Sequence, residues 1–234
     1  MNTSLFRSQL KSYAIKMGAD LVGIASTSQF LEAPKGHSPA DLMPNAKSVI
    51  VLAQRLPRGA FNTHLLTAFT LVHQDAMKRL DHIAYKVACF LEDRGGEAIP
   101  IPADAPYTDW DESNLHGMGE LSHRHAAVAA GLGRLGKNSL LITPEYGNRV
   151  NLVSIVTDLE IEPDPPVTSN LCPQGCRLCI DSCPAGALPG DHTVVQKLCR
   201  PILNTKLPRG FTVLGCRACR QICPAGGKTN AAAS

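Results

Sequence analysis

Eight cysteines after residue 171 constrain this chain more than any other feature: Cys172-x3-Cys176-x2-Cys179-x3-Cys183-Pro184, then Cys199, then Cys216-x2-Cys219-x3-Cys223-Pro224. Cysteines at such density can be a secreted disulfide framework, metal ligands or ordinary packing. The amino terminus, MNTSLFRSQLKSYAIKMGAD, alternates charged with apolar residues and does not read as a signal peptide, and no later apolar run is long enough to span a bilayer. A soluble, cytoplasmic protein without membrane contact is expected. In a reducing compartment, thiols at short regular spacing point to metal.

A four-iron, four-sulfur cluster needs four thiolates converging on the corners of a tetrahedron. A tight Cys-x2-Cys loop lets three neighbours wrap one cluster while the cysteine before proline turns to another. Two such halves give two clusters with crossed ligation: Cys172, Cys176, Cys179 and Cys223 on one, Cys199, Cys216, Cys219 and Cys183 on the other. The first spacing is one residue longer than the bacterial ferredoxin run, and Cys199 lies far upstream of Cys216. Zinc is the rival, since paired Cys-x2-Cys units also build tetrahedral sites, but it does not call for an x3-Cys-Pro ending twice. Cys89, alone in a helical stretch, reads as a small buried hydrophobe with no role.

The rest of the chain is long enough for one ordinary domain, and a hydrophobic content of 44% supplies a normal core. The formal charge of +3 does not imply nucleic acid. Arg200, Lys206, Arg209, Arg217, Arg220 and Lys228 gather around the second cysteine group, as a solvated face or a docking surface for an acidic electron donor.

Helical periodicity from Ser4 to Met17, stopped by Gly18, leads into DLVGIAS and then AKSVIVLAQ, both read as buried strands. A helix is expected from Thr63 to Arg94 with Leu71, Met77, Leu80, Ala84, Val87 and Leu91 on one face. EAIPIPA reads as an edge strand, because proline cannot donate to a central ladder. Residues 103–121 read as a long surface loop, HRHAAVAAGLG as a helix, SLLITP and RVNLVSIVTDLEI as strands, EPDPPVTSN as a linker and GGKTNAAAS as a disordered tail. The expected units are therefore an α+β body over 1–168, a cysteine-rich domain over 169–227 and a tail over 228–234.

AGLGRLGKNSLLITPEYG, residues 130–147, is the most informative part of the body. Its glycines would let backbone approach a flat or phosphorylated ligand, with Lys137 and Asn138 as polar contacts, or would simply cap a helix and turn. The spacing is neither a Rossmann fingerprint nor a P-loop. His123 and His125, two apart on a helix, point to different faces and make a poor metal pair; each is a proton donor or a packed neutral imidazole. Asp104, Tyr107, Asp109 and Glu120 are weaker candidate acids.

This segment, followed by LVSIVTDLEIEPD and C-x2-C-x3-CP, and preceded by GADLVGIA and PNAKSVIVLA, resembles the epoxyqueuosine reductases and their relatives the reductive dehalogenases over about residues 4–225. The resemblance implies an α+β, nitroreductase-like domain of corrinoid-reductase type followed by a small ferredoxin-like domain with two 4Fe-4S clusters. Cobalamin would be held along Gly131, Leu132, Gly133, Gly136, Lys137, Asn138 and Ser139. Where epoxyqueuosine reductases carry an acidic proton donor, this chain has Gly117, so His123 or His125 is expected to replace it. The helical-repeat region that helps those enzymes grip tRNA does not follow Cys223, and the twin-arginine signal of respiratory dehalogenases is not found. The expectation is a short oxidoreductase acting on an unknown small molecule rather than tRNA, fed by a donor such as ferredoxin or flavodoxin. The alternatives are an electron-transfer protein serving a partner's corrinoid or flavin, and an FMN-dependent reductase.

Overall fold

The computed structural model describes residues 3–226; the expected tail over 228–234, and Lys228 with it, lie outside them. In chain order the elements are α1 (Thr3–Lys16), β1 (Leu21–Ser26), α2 (Pro39–Leu42), β2 (Ser48–Arg55), α3 (Gly59–Asn62), α4 (Leu66–Glu92), β3 (Ala98–Ile101), β4 (Asp109–Asp111), β5 (His116–Met118), α5 (His123–Ala129), β6 (Arg134–Leu135), β7 (Leu141–Ile142) and β8 (Val150–Thr157). The cysteine-rich part adds α6 (Leu178–Asp181), α7 (Gln196–Leu203), β9 (Asn204–Lys206), β10 (Thr212–Leu214) and α8 (Ala218–Gln221). The fold is mixed α and β.

The central sheet has the order β1-β2-β8-β3, with every neighbouring pair antiparallel. β2 is buried from Ser48 to Ala53 and β8 along its whole length. Both strands are mainly apolar without alternation, because both faces of the sheet are covered, and β8 buries Asn151, Ser154 and Thr157 among its apolar residues. On one face Ile50, Leu52, Val153 and Ile155 pack with Phe6, Leu10 and Leu80 from α1 and α4. On the other, Val49, Val51, Leu152 and Val156 pack with Phe30, Met43 and Ala126, Ala127 and Ala130 around α5. β3 lies at the edge, as its Pro100 requires.

Three expectations need correction. Leu71 does not join the buried face of α4 but is 67% exposed; it lies nine residues before Leu80, half a turn out of phase at about 100° per residue. SLLITP is not a strand of the main sheet: Leu141 and Ile142 pair with Leu135 and Arg134 in a two-stranded turn outside it, and Thr143 bridges Gly147. The loop over residues 103–121 contains a hairpin, β4 on β5, with Trp110 opposite Gly117.

EPDPPVTSN is fastened to the body. Asp164 pairs with Arg7 and, at 2.6 Å, with Lys11, and its second oxygen accepts the Ile24 amide at 2.9 Å. One carboxylate thus ties α1, β1 and the approach to the cysteines together. Further on, Leu214 N–H donates to Thr70 Oγ1 at 2.9 Å and Arg217 donates to the Thr63 carbonyl, fixing the cysteine-rich unit to the start of α4.

Candidate active site and cysteine-rich centre

A cavity of about 1260 Å³ opens between the body and the cysteine-rich unit. The 104–121 loop and α5 form one wall, Arg134, Leu135, Leu140 and Leu141 another, and Cys199, Arg200 and Arg220 bring the cysteine-rich unit to it. Sites for drug-sized molecules are usually about 300–1,000 Å³. This cavity has room for something larger.

α7 holds the hairpin over that space. Gln196 accepts the Gly117 amide at 3.1 Å and donates to its carbonyl at 3.0 Å, as a neighbouring strand would. One turn on, Arg200 donates to Gln196 at 2.9 Å and lies 5.1 Å from the Tyr107 ring and 4.9 Å from that of Trp110. A Cβ at Gly117 would lie 2.9 Å from Arg200 Nη2 and from the Tyr107 ring, and 3.2 Å from Trp110. The position at which the resemblance places an acid is thus filled by a cation and two aromatic rings.

The glycine-rich segment does not line the cavity as expected. None of Gly131, Leu132, Gly133, Gly136, Lys137, Asn138 and Ser139 is in its wall. Gly131 has φ +70° and leaves 2.3 Å between a Cβ and the Pro165 carbonyl oxygen, while at Gly133 the Ile142 carbonyl oxygen would lie 2.1 Å away. These glycines let the chain fold against itself. Their polar neighbours brace the cysteine loops: Lys137 Nζ donates to the Cys176 carbonyl at 2.9 Å and Asn138 Nδ2 to that of Cys219 at 3.1 Å. Ser139 receives Arg124. A glycine-rich turn gives the same sequence signal in either role, so spacing alone did not separate bracket from cradle.

Both histidines reach the cavity wall, with different freedom. His123 Nε2 contacts the Pro102 carbonyl at 2.9 Å and Nδ1 contacts Ser154 Oγ at 2.8 Å. A carbonyl only accepts, so Nε2 carries the ring hydrogen and the serine donates to Nδ1. Burial pushes the His123 pKa down. It is a neutral, fully bonded imidazole, which corrects its expected role as proton donor. His125 Nδ1 meets Ser122 Oγ at 2.7 Å, and partial burial also lowers its pKa.

The eight cysteines fall into two neighbourhoods. Burial raises the Cys179 pKa, and the thiols that raise it further are those of Cys223, Cys172 and Cys176. Burial raises Cys199 as well, with Cys216 and Cys183 beside it. Cys219 is pushed up to about 11 by burial, Arg220 opposing and Cys216, Cys199 and Cys183 adding to it. α6 and α8, which carry Cys179 and Cys219, pack on one another. Among the described residues no three His, Cys, Asp or Glu side chains are placed to share a single ion. One zinc ion draws its sulfurs to about 2.3 Å from a common centre. Thiolates on a cubane each meet a different iron and stand wider apart.

The expected basic patch is largely dismantled. Arg217 turns inward to Thr63 and the Phe69 ring, Arg220 bonds the Asn148 and Val150 carbonyls, and Arg200 sits on the aromatic pair. Lys206 and Arg209 remain exposed. Cys89 is half-buried beside Tyr85 in α4. Two parts of this site escaped the sequence reading. Gln196 had no local signal, and Asn151 looked like one polar residue in a strand.

The fold of this chain is similar to that of solved epoxyqueuosine reductases and reductive dehalogenases: an epoxyqueuosine reductase superposes with a TM-score of 0.66 at 23% identity, covering 96% of this chain and 66% of that one. A reductive dehalogenase structure described as suggesting a mechanism for B12-dependent dehalogenation gives 0.71 at 21% identity, over 95% of this chain and 32% of that one. At these identities the likeness is one of fold. In sequence, the chain is a shorter homologue of epoxyqueuosine reductases; that of Bacillus cereus is 29% identical over 235 residues, covering 85% of this chain and 56% of the relative. The chain thus spans about half the length of the curated relatives it matches. No family model matches it. Among the described residues no helix is long and apolar enough to cross a membrane.

Proposed function

We propose that the chain is an iron–sulfur oxidoreductase with a nitroreductase-like body and a ferredoxin-like two-cluster unit, whose cavity takes a cobalamin and a small substrate. Cys172, Cys176, Cys179 and Cys223 hold one four-iron cluster, and Cys183, Cys199, Cys216 and Cys219 the other. The observation that carries the reading is Cys199, which belongs to the second neighbourhood and also lines the cavity. Electrons held there are next to whatever the cavity binds.

A corrinoid bound in the cavity would supply low-valent cobalt chemistry, and clusters held by the two cysteine sets would supply single electrons. The residues of this chain orient, enclose and manage protons. Gln196 and Arg200 keep the hairpin closed over the cavity. His123 fixes α5 to the sheet through Ser154 and Pro102. His125, with the Ser122 hydroxyl donating to Nδ1, presents Nε2–H as the hydrogen available to a reacting group. A protein that only relayed electrons would need no cavity of this volume, which favours the enzyme over the relay. A soluble one-electron carrier of the ferredoxin or flavodoxin type is the donor in this reading.

The test is anaerobic purification, reconstitution with iron and sulfide, and separate incubation with cobalamin and FMN. About eight iron per chain and stoichiometric cobalt are expected. About four iron would sink one cysteine set. Iron with neither cobalt nor flavin would leave no enzyme.

A further inference from the structure

Two arginines in the cavity wall have no acidic partner. Arg124 comes from α5 and Arg220 from α8, and among the described residues neither appears in an ion pair. Arg124 commits Nη1 to the carbonyl and hydroxyl of Ser139. Arg220 commits Nη1 to the carbonyls of Asn148 and Val150, at 3.2 and 3.3 Å. A guanidinium carries five N–H donors in a planar fork, so these backbone anchors fix each group while leaving donors over. Burial weighs against the charge on Arg220, the neighbouring Cys219 thiol favours it, and Arg124 is close enough to weigh against it as well. The hydrogen-bond partners of both guanidiniums are neutral oxygens.

A third group of the same wall is Asn151, 3% exposed, whose Nδ2 meets His73 Nδ1 at 3.1 Å while its buried Oδ1 has no partner. Of the acids in this wall, Glu120 accepts the Thr108 hydroxyl at 3.2 Å, Asp104 acts on His73, which Arg220 also faces, and Glu32 lines the cavity as well.

We propose that Arg124 and Arg220, with Asn151 beside them, form an oxyanion subsite, and that the small molecule this cavity takes carries a carboxylate or phosphate group. The spare guanidinium donors hold the oxyanion, and Asn151 Oδ1 accepts a hydroxyl or amide hydrogen of the same molecule. The subsite deepens the proposed function, on which its identification as a substrate site rests.

The experiment is calorimetric titration of inorganic phosphate, and in a second arm acetate, into the anaerobically purified full chain, with iron content measured on the same sample. Saturable binding of at least one anion is expected. R220Q and R124Q should each weaken it ten-fold or more, whereas R220K, which keeps a point charge, should lose less. Tighter phosphate assigns a phosphoryl group to the substrate, and tighter acetate a carboxylate. Because Arg220 also anchors backbone, thermal midpoints accompany each variant, and R124Q decides the matter if R220Q unfolds. No saturable binding of either anion, or equal affinity in the folded variants, overturns the inference. A full iron complement without anion binding sinks the subsite and leaves the proposed function standing; anion binding without iron does the reverse.

Discussion

Gly117 and Arg200 define one another. A methyl group at 117 would sit 2.9 Å from both the guanidinium and the Tyr107 ring. G117A should therefore cost about 1–2 kcal/mol and loosen the hairpin. Trp110 is the chain's single tryptophan and lies against Arg200, so its emission reports this contact. R200A is expected to shift that emission while costing only about 0.5–1 kcal/mol, the scale of a partly exposed cation over an aromatic ring. Equal spectra for wild type and R200A would mean that the latch is not formed in solution. Arg200 was legible only as one member of a basic cluster, because charge runs carry no information about which side chains turn inward. Trp110 and Tyr107 were read as loop residues, and nothing local to either announced a cation from residue 200.

Among the elements, the β6–β7 turn with its glycines is the least tolerant. At Gly133 a Cβ would meet a backbone oxygen at 2.1 Å, and backbone cannot rotate aside as a side chain can. G133A should destabilise by about 3 kcal/mol or more in chemical denaturation. Asn138 is the corresponding brace, 5% exposed and bonded to the Cys219 carbonyl. N138A should cost about 1–2 kcal/mol and speed loss of iron to a chelator. An unchanged release rate would detach the turn from the cysteine-rich unit. β2, β8 and the long helix were legible because burial on both faces, or on one helical stripe, writes itself into periodicity. Pro100 placed β3 at the edge for an equally local reason. SLLITP was misread since two apolar residues in a tight turn look the same as a short strand, and the hairpin in the 103–121 loop is held by a distant glutamine rather than by its own turn residues.

For the whole molecule, acid should unlock the interior. His73 is half-buried, stacked on Phe69 and bonded to Asn151, and desolvation pulls its pKa down to about 4. The unfolded chain binds that proton below about 6.5, the folded one only below about 4, so stability falls as pH drops through this window. The full effect is about 3 kcal/mol. H73Q should flatten the dependence of the thermal midpoint on pH between those limits; a slope equal to that of wild type would place the titrating group elsewhere. The mixed α and β character and the edge position of β3 followed from periodicity and from Pro100. The cavity did not, since it arises where α5, α7 and the hairpin meet from three separate stretches of sequence.

The interleaving of the cysteines has a consequence for synthesis. Cys179 shares its neighbourhood with Cys223, and Cys219 shares its own with Cys183, so each set draws on both ends of the cysteine-rich stretch. A ribosome releases Cys172, Cys176 and Cys179 well before Cys223 exists, and three thiolates leave a corner of a cubane open. If the two sets hold clusters as proposed, the second is complete only with Cys219 and the first only with Cys223, which would make cluster loading a late event in synthesis and leave the earlier thiols in need of protection until then.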